Sequence, residues 1–213
     1  MTSEVKRAYR SPLRAAQQAA TRRQVIEAAT ILFVRDGYAA TSIDAIAEAG
    51  GVSRATVFSA VGGKAALLKA AYDVAVVGDD ERVPLPDRPW AQLVRDEPDA
   101  RRMLLRYAEM VTAVDARVAA INGTVRGAAG ADAEARALWH EVQRQRQQGA
   151  GNVVEMLVAR EGLRADLEQG AAADILAVFI DPGIYLMLAG QRGWSAGQFE
   201  HWLGETLCAQ LMG

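Results

Sequence analysis

Apolar side chains recur along the chain at the three-to-four-residue spacing of an amphipathic helix. From about Gln17 to Asp36, Val25, Ile26, Ala29, Leu32 and Phe33 form one stripe, and Gly37 ends it. Residues 41–64 follow a different rhythm: a capped helix, a glycine turn, a second short capped helix, and a lysine opening a third. Thr41 stands three residues before Asp44 in a capping-box-like start, and Ile43, Ile46 and Ala47 then repeat at helical spacing. Gly50 and Gly51 supply the tight turn, because glycine adopts left-handed backbone angles without steric cost. Ser53 is placed to cap the next helix, with Val57 and Val61 inward. Two helices joined by so short a turn predict a helix-turn-helix over 41–61, a motif whose second helix fits the DNA major groove. Lys64 to Val77 forms a further helix with Leu67, Leu68, Ala71 and Ala75 on one face.

The segment Gly78–Pro89, rich in proline and acid, reads as a boundary. Beyond it the pattern is helical to the end. The signals place one helix from Pro98 to about Arg126 and a second from Asp132 to about Arg160, bent near Gly149–Gly151. Asp166 with Gln169 is positioned to open a third, Asp181-Pro182 a fourth, and Ser195 with Gln198 a fifth. The expected architecture is all-α: a basic arm (1–17), a three-to-four-helix DNA-binding domain (18–78), and a larger helical bundle (79–213).

Composition supports helices. The hydrophobic fraction of 51% is ample for a core, and much of it is alanine and leucine rather than β-branched residues. One cysteine, Cys208, rules out a disulfide framework and a cysteine-based zinc cluster, and reads as a small packed hydrophobe. No apolar run approaches the roughly 18 residues needed to span a bilayer. The N-terminus lacks an apolar signal core, so a cytoplasmic protein without a membrane partner is expected. Charge changes the picture more. The net charge is only −2. Residues 1–72, however, hold ten basic against five acidic side chains, a balance of +5, and the remainder balances at −7. A basic N-terminal segment on an acidic body suits an end that meets phosphate.

Arg23, Ile26, Ala28-Ala29, Leu32-Phe33, Gly37-Tyr38, Thr41-Ser42, Ile46-Ala47, Gly51-Val52-Ser53, Thr56, Lys64 and Leu67-Leu68 together resemble the N-terminal signature of TetR-type transcriptional regulators. The resemblance covers about residues 18–78 without a gap. It implies a homodimer on a palindromic double-stranded DNA operator, usually a repressor released by a small-molecule effector bound in the C-terminal domain. It also implies dimerisation through the last helices, within about 168–212, and no cofactor.

Within this resemblance the DNA-binding set is Thr41, Ser53, Arg54, Ala55, Thr56, Phe58, Ser59 and Lys64. Arg54 is the foremost reader, since a guanidinium donates two hydrogen bonds to O6 and N7 of guanine. Thr41 and Thr56 match phosphate-contacting positions of the family, although Thr41 also serves as a cap and Thr56 as a half-buried helix residue. Lys64, in a first helical turn, faces the positive end of the helix dipole, which a nearby phosphate would make tolerable. Two departures matter: Phe58 stands where the family usually has tyrosine, and Ala60 lacks a hydrogen-bonding group. Readout should then lean on Arg54, with Ala55 and Phe58 offering apolar contact to thymine methyls. The basic arm (Lys6, Arg7, Arg10, Arg14) adds salt-dependent backbone contacts or is simply a tail.

For the effector, Met103, Tyr107, Met110 and Trp139 are the pocket candidates, although such side chains more often serve as core or dimer interface; Tyr107 and Trp139 are preferred, each carrying a polar handle on a large apolar body. His140 reads as a solvated or helix-packed histidine, and Asp174 as a half-buried or surface acid. An enzyme is the first rival reading. Gly62-Gly63-Lys64 resembles the end of a phosphate loop, but Phe58 replaces the earlier glycine and Ala65 the Ser/Thr. His140 and His201 are far apart, without metal-ligand spacing. A helical adaptor that has lost operator binding is the second rival, and Phe58 and Ala60 leave room for it.

Overall fold

A computed structural model of the chain describes residues 12–81, 83 and 87–213. The basic residues Lys6, Arg7 and Arg10 of the expected arm lie outside the described residues. The chain divides into two compact units, Met1–Ala71 and Tyr72–Gly213, and the division falls inside one helix.

The first unit holds α1 (Pro12–Ala40), α2 (Ile43–Ala49), α3 (Arg54–Ala60) and the start of α4 (Lys64–Val77). The helix expected from Gln17 begins earlier, because Pro12 is pre-set for a first helical turn. Gly37, at φ 82° and ψ 163°, interrupts α1 where the apolar stripe ends. Val25, Ile26, Ala29, Leu32 and Phe33 are buried as the stripe requires, with Ile46, Val57, Leu67 and Leu68 completing the core. α1 packs against both α2 and α3. Between α2 and α3, only Gly51 needs a positive φ, of 59°; Gly50 caps α2 at an ordinary φ of −82°.

One local expectation is corrected. Ser42, not Thr41, caps α2: its Oγ accepts from the Ala45 N–H at 3.0 Å. Thr41 is instead 3% exposed, and its hydroxyl donates back to the Gly37 carbonyl at 2.8 Å. Sequence spacing put the cap one residue early because adjacent threonine and serine both suit it.

The second unit contains the remainder of α4, then α5 (Pro89–Arg95), α6 (Ala100–Ala128), α7 (Ala133–Val158), α8 (Gln169–Phe179), α9 (Pro182–Tyr185), a π-helical segment (Leu186–Gln191) and α10 (Ala196–Leu211). α6 is the central helix, packing against α5, α7, α9 and α10, while α7 packs against α8. Leu104, Val153, Leu176, Phe199, Leu203 and Leu207 lie in one continuous core. Side-chain caps form at Asp99, Asp132, Asp181 and Ser195, the last in a complete capping box with Gln198.

Two expectations of this region change. α5 is not predicted, because a seven-residue helix shows itself in sequence through its cap and Arg88 makes no side-chain cap. The second predicted long helix is α7, which is helical through Gly149 and Gly151. α8 starts after Glu168 without a side-chain cap, since Asp166 accepts instead from Arg164 at 2.6 Å.

The expectation that no apolar run reaches membrane-spanning length is also corrected. Gln169–Gln191 is 23 residues long and, by length and composition alone, apolar enough to cross a membrane. Only 28% of its most apolar window is buried, however, and Ile180-Asp181 breaks it into α8 and α9. Asp174 and Asp181 divide the run in sequence, which hides its length.

Candidate nucleic-acid interface and C-terminal cavity

α3 is seven residues long, about 10 Å of helix, so few of its side chains can reach a base edge. Its first turn is fixed by Ser53, whose Oγ accepts from the Thr56 N–H at 3.1 Å and lies 2.8 Å from the Thr56 hydroxyl. Its inner side is held by Val57, which is fully buried. At its far end Arg22 of α1 donates to the Ala60 carbonyl at 3.2 Å, placing positive charge where the helix dipole favours it. These contacts leave Ser53, Arg54, Ala55, Phe58 and Ser59 exposed together on one helix, with Thr56 half-buried.

Arg54 is engaged within the domain. Its Nη1 donates to both carboxylate oxygens of Asp44, at 3.0 and 2.8 Å. Its Cζ also lies 5.7 Å from the centre of the Phe58 ring. Its place three residues after Thr41 predicts only a capping role for Asp44. No local pattern pairs positions 44 and 54; the packing of α2 on α3 brings them together.

Lys64 is placed by contacts that spacing did not reveal. Its Nζ sits 4.4 Å from the Tyr38 ring centre and donates to the Ala39 carbonyl at 3.3 Å. The ring face and carbonyl offset the cost of a cation in a helix's first turn. Thr41 does not join the exposed set, being buried beneath α2 and α1.

In the second unit, Tyr107 and Met110 line a cavity of about 560 Å³ together with Trp90, Val94, Val153 and Met156. Arg160 closes one side, its guanidinium donating to the carbonyls of Arg95, Glu97 and Met156. Met103 belongs instead to the solvent-free core, and Trp139 lies on α7 outside this lining. His140 and His201 are both exposed, on α7 and α10. Among the described residues, no group of three or more His, Cys, Asp or Glu side chains is arranged to hold a metal ion.

The inner face of α6 carries an unexpected polar stripe: Thr112, Asp115 and Asn122 are all buried. Thr112 donates to the Ala108 carbonyl at 2.8 Å. Oδ2 of Asp115 and Oδ1 of Asn122 have no hydrogen-bond partner. Burial raises the Asp115 carboxyl well above the usual range, Arg146 opposing this and Asp181 reinforcing it. Burial likewise pushes the Tyr72 phenol up to about 12 and raises that of Tyr107.

Residues 25–71 match the family model for bacterial regulatory proteins of the tetR family. No curated protein sequence matches the chain significantly. Among solved structures, it is similar to NalD, the secondary repressor of the MexAB-OprM multidrug efflux pump in Pseudomonas aeruginosa. Identity there is 23%, the TM-score 0.68, and the match covers 92% of this chain and 98% of that one. A transcriptional regulator from Saccharomonospora viridis, crystallised with choline, matches at 21% identity and TM-score 0.68, covering 91% and 98%. The fatty acid degradation regulator FadR from Bacillus halodurans matches at 14% and 0.67, covering 88% and 94%. At these identities the likeness establishes the all-helical fold.

Proposed function

From a chain that belongs with the tetR-family regulators through its helix-turn-helix domain at 25–71, we propose a homodimeric regulator that represses from a palindromic operator and is released by a small effector. The observation that carries this is α3. It is a capped, seven-residue helix, buttressed from behind, that exposes Arg54 in the basic N-terminal third of the chain. Recognition helices of this kind lie in the major groove, and a dimer sets two of them on successive turns, about 34 Å apart. The DNA-contacting residues are Ser53, Arg54, Ala55, Thr56, Phe58, Ser59 and Lys64.

Dimerisation is supported by the exposed apolar surface of α8 and the π segment. Val178 is 62% and Met187 46% exposed, on a stretch apolar enough that water is a poor neighbour. A second copy of the same face is the proposed cover. For the effector, the 560 Å³ cavity around Trp90, Tyr107, Met110 and Met156 has the size and apolar lining of a small-molecule site. The structure crystallised with choline indicates that a protein of this fold takes up a small molecule.

A gel shift with duplexes from the chain's own upstream region tests the reading. Arg54→Ala should abolish the retarded band, or weaken it by about tenfold or more, as loss of a bidentate guanine contact does. No retarded band for any fragment at low salt would instead favour the adaptor.

A further inference from the structure

We propose that Asp44 is a specificity-determining residue of the DNA interface: it holds one edge of the Arg54 guanidinium so that the other edge is presented to guanine. The inference rests on the reading of α3 as the recognition helix. Asp44 lies in the first turn of α2, where an acid already suits the helix dipole without any side-chain partner. Its carboxylate nonetheless takes Nη1 of Arg54 between both oxygens, at 3.0 and 2.8 Å. Phe58, one turn further along α3, lies 5.7 Å from the guanidinium carbon and limits the tilt of its plane.

With Nη1 held, the Nε–Nη2 edge of Arg54 makes no hydrogen bond to the described residues. That edge is a planar pair of donors, the geometry that meets O6 and N7 of guanine. Ala55, Phe58 and Ala60 have no side-chain group to hydrogen-bond a base, and the hydroxyls of Ser53, Thr56 and Ser59 are already engaged within α3 and its cap. Discrimination by α3 therefore concentrates on Arg54, and so on whatever orients it.

In the free protein the pair stabilises little, its side chains being 58% and 68% exposed. A docked duplex changes this. Water is excluded, and the Asp44 carboxylate stands near phosphates, repelled on every sequence. The repulsion is offset only where Arg54 stays between the carboxylate and an acceptor pair on a base. Asp44 thus lowers affinity for all DNA while widening the gap between right and wrong sites.

The test uses the full-length chain and the site it selects from a random-sequence duplex pool. Affinities are measured by fluorescence anisotropy at one ionic strength, on that site, on copies with each guanine replaced by 7-deazaguanine, and on a scrambled duplex. Wild type should lose about tenfold at one guanine per half-site. Asp44→Asn should bind the scrambled duplex more tightly and lose less than about threefold at that guanine, with Asp44→Glu intermediate. Unchanged helical circular dichroism melts would exclude misfolding as the cause. If Asp44→Asn keeps the whole guanine penalty while Arg54→Ala loses it, the pair is only structural and this inference alone fails. If Arg54→Ala keeps the penalty, or no site is selected, the recognition-helix reading fails with it.

Discussion

At the scale of single residues, two buried or half-buried acids respond to pH in opposite directions. Asp115 is buried, and burial raises its folded-state carboxyl above the ordinary value. The folded protein therefore binds this proton more tightly than the unfolded chain does. Its contribution is fully present below the ordinary aspartate range and is lost as pH rises through the folded value. Asp115→Asn should accordingly raise the melting temperature at pH 7 by a few degrees, from about 1 kcal/mol or more of relieved desolvation. Melts at pH 4 and pH 7 check this: the gain should shrink at the lower pH, and a lower melting temperature at pH 7 would contradict it. Asp79 behaves oppositely. Hydrogen bonds from Arg88 hold its carboxyl at about 2, so its contribution is present above the ordinary aspartate value and lost as pH falls towards 2. Both acids look alike in sequence, one beside Ala116 and the other beside Asp80; only the surroundings give them different signs.

Among elements, α1 and α3 show how local signals and packing divide the work. Gly37 ends the α1 stripe with a φ of 82°, and a Cβ there would meet nothing within 4 Å. Gly37→Ala should then cost roughly 1–3 kcal/mol through backbone strain alone, since a positive φ with an extended ψ of 163° is essentially restricted to glycine. A urea titration should show the midpoint falling with an unchanged m-value, and an unaltered midpoint would mean that the turn relaxes freely. The stripe, the glycine and the Ser53 cap were all legible, because each acts within one or two turns of chain. The cap at Ser42 and the early start at Pro12 were misplaced by a few residues, since neighbouring residues can serve the same role. The Asp44–Arg54 pair, the Lys64–Tyr38 contact and the Arg22 buttress were invisible. Each joins side chains on different elements, and no spacing rule connects them.

On the scale of the whole molecule, the exposed apolar run in α8 and the π segment is the proposed dimer face. Val178→Asp combined with Met187→Asp places two charges on the proposed dimer face. Size-exclusion chromatography with light scattering should show a monomer, and affinity for a two-half-site duplex should fall by about a hundredfold or more as avidity is lost. A variant that stays dimeric would move the interface elsewhere. The cavity proposed for the effector belongs to this scale as well. Of the four pocket candidates, Tyr107 and Met110 line it. Met103 and Trp139 do not, although Trp139 carries the same polar handle on a large apolar body as Tyr107, because chemistry alone does not say which side of a helix faces a void.

The sequence by itself determined most of the helices, the helix-turn-helix and the reading role suggested for Arg54, because periodicity, caps and glycines act over a few residues. Tertiary structure alone decided which carboxylate holds Arg54, where a cavity opens beside α6, and which acid is stripped of water. Those outcomes depend on side chains far apart in the chain becoming neighbours, and short-range pattern carries no record of them.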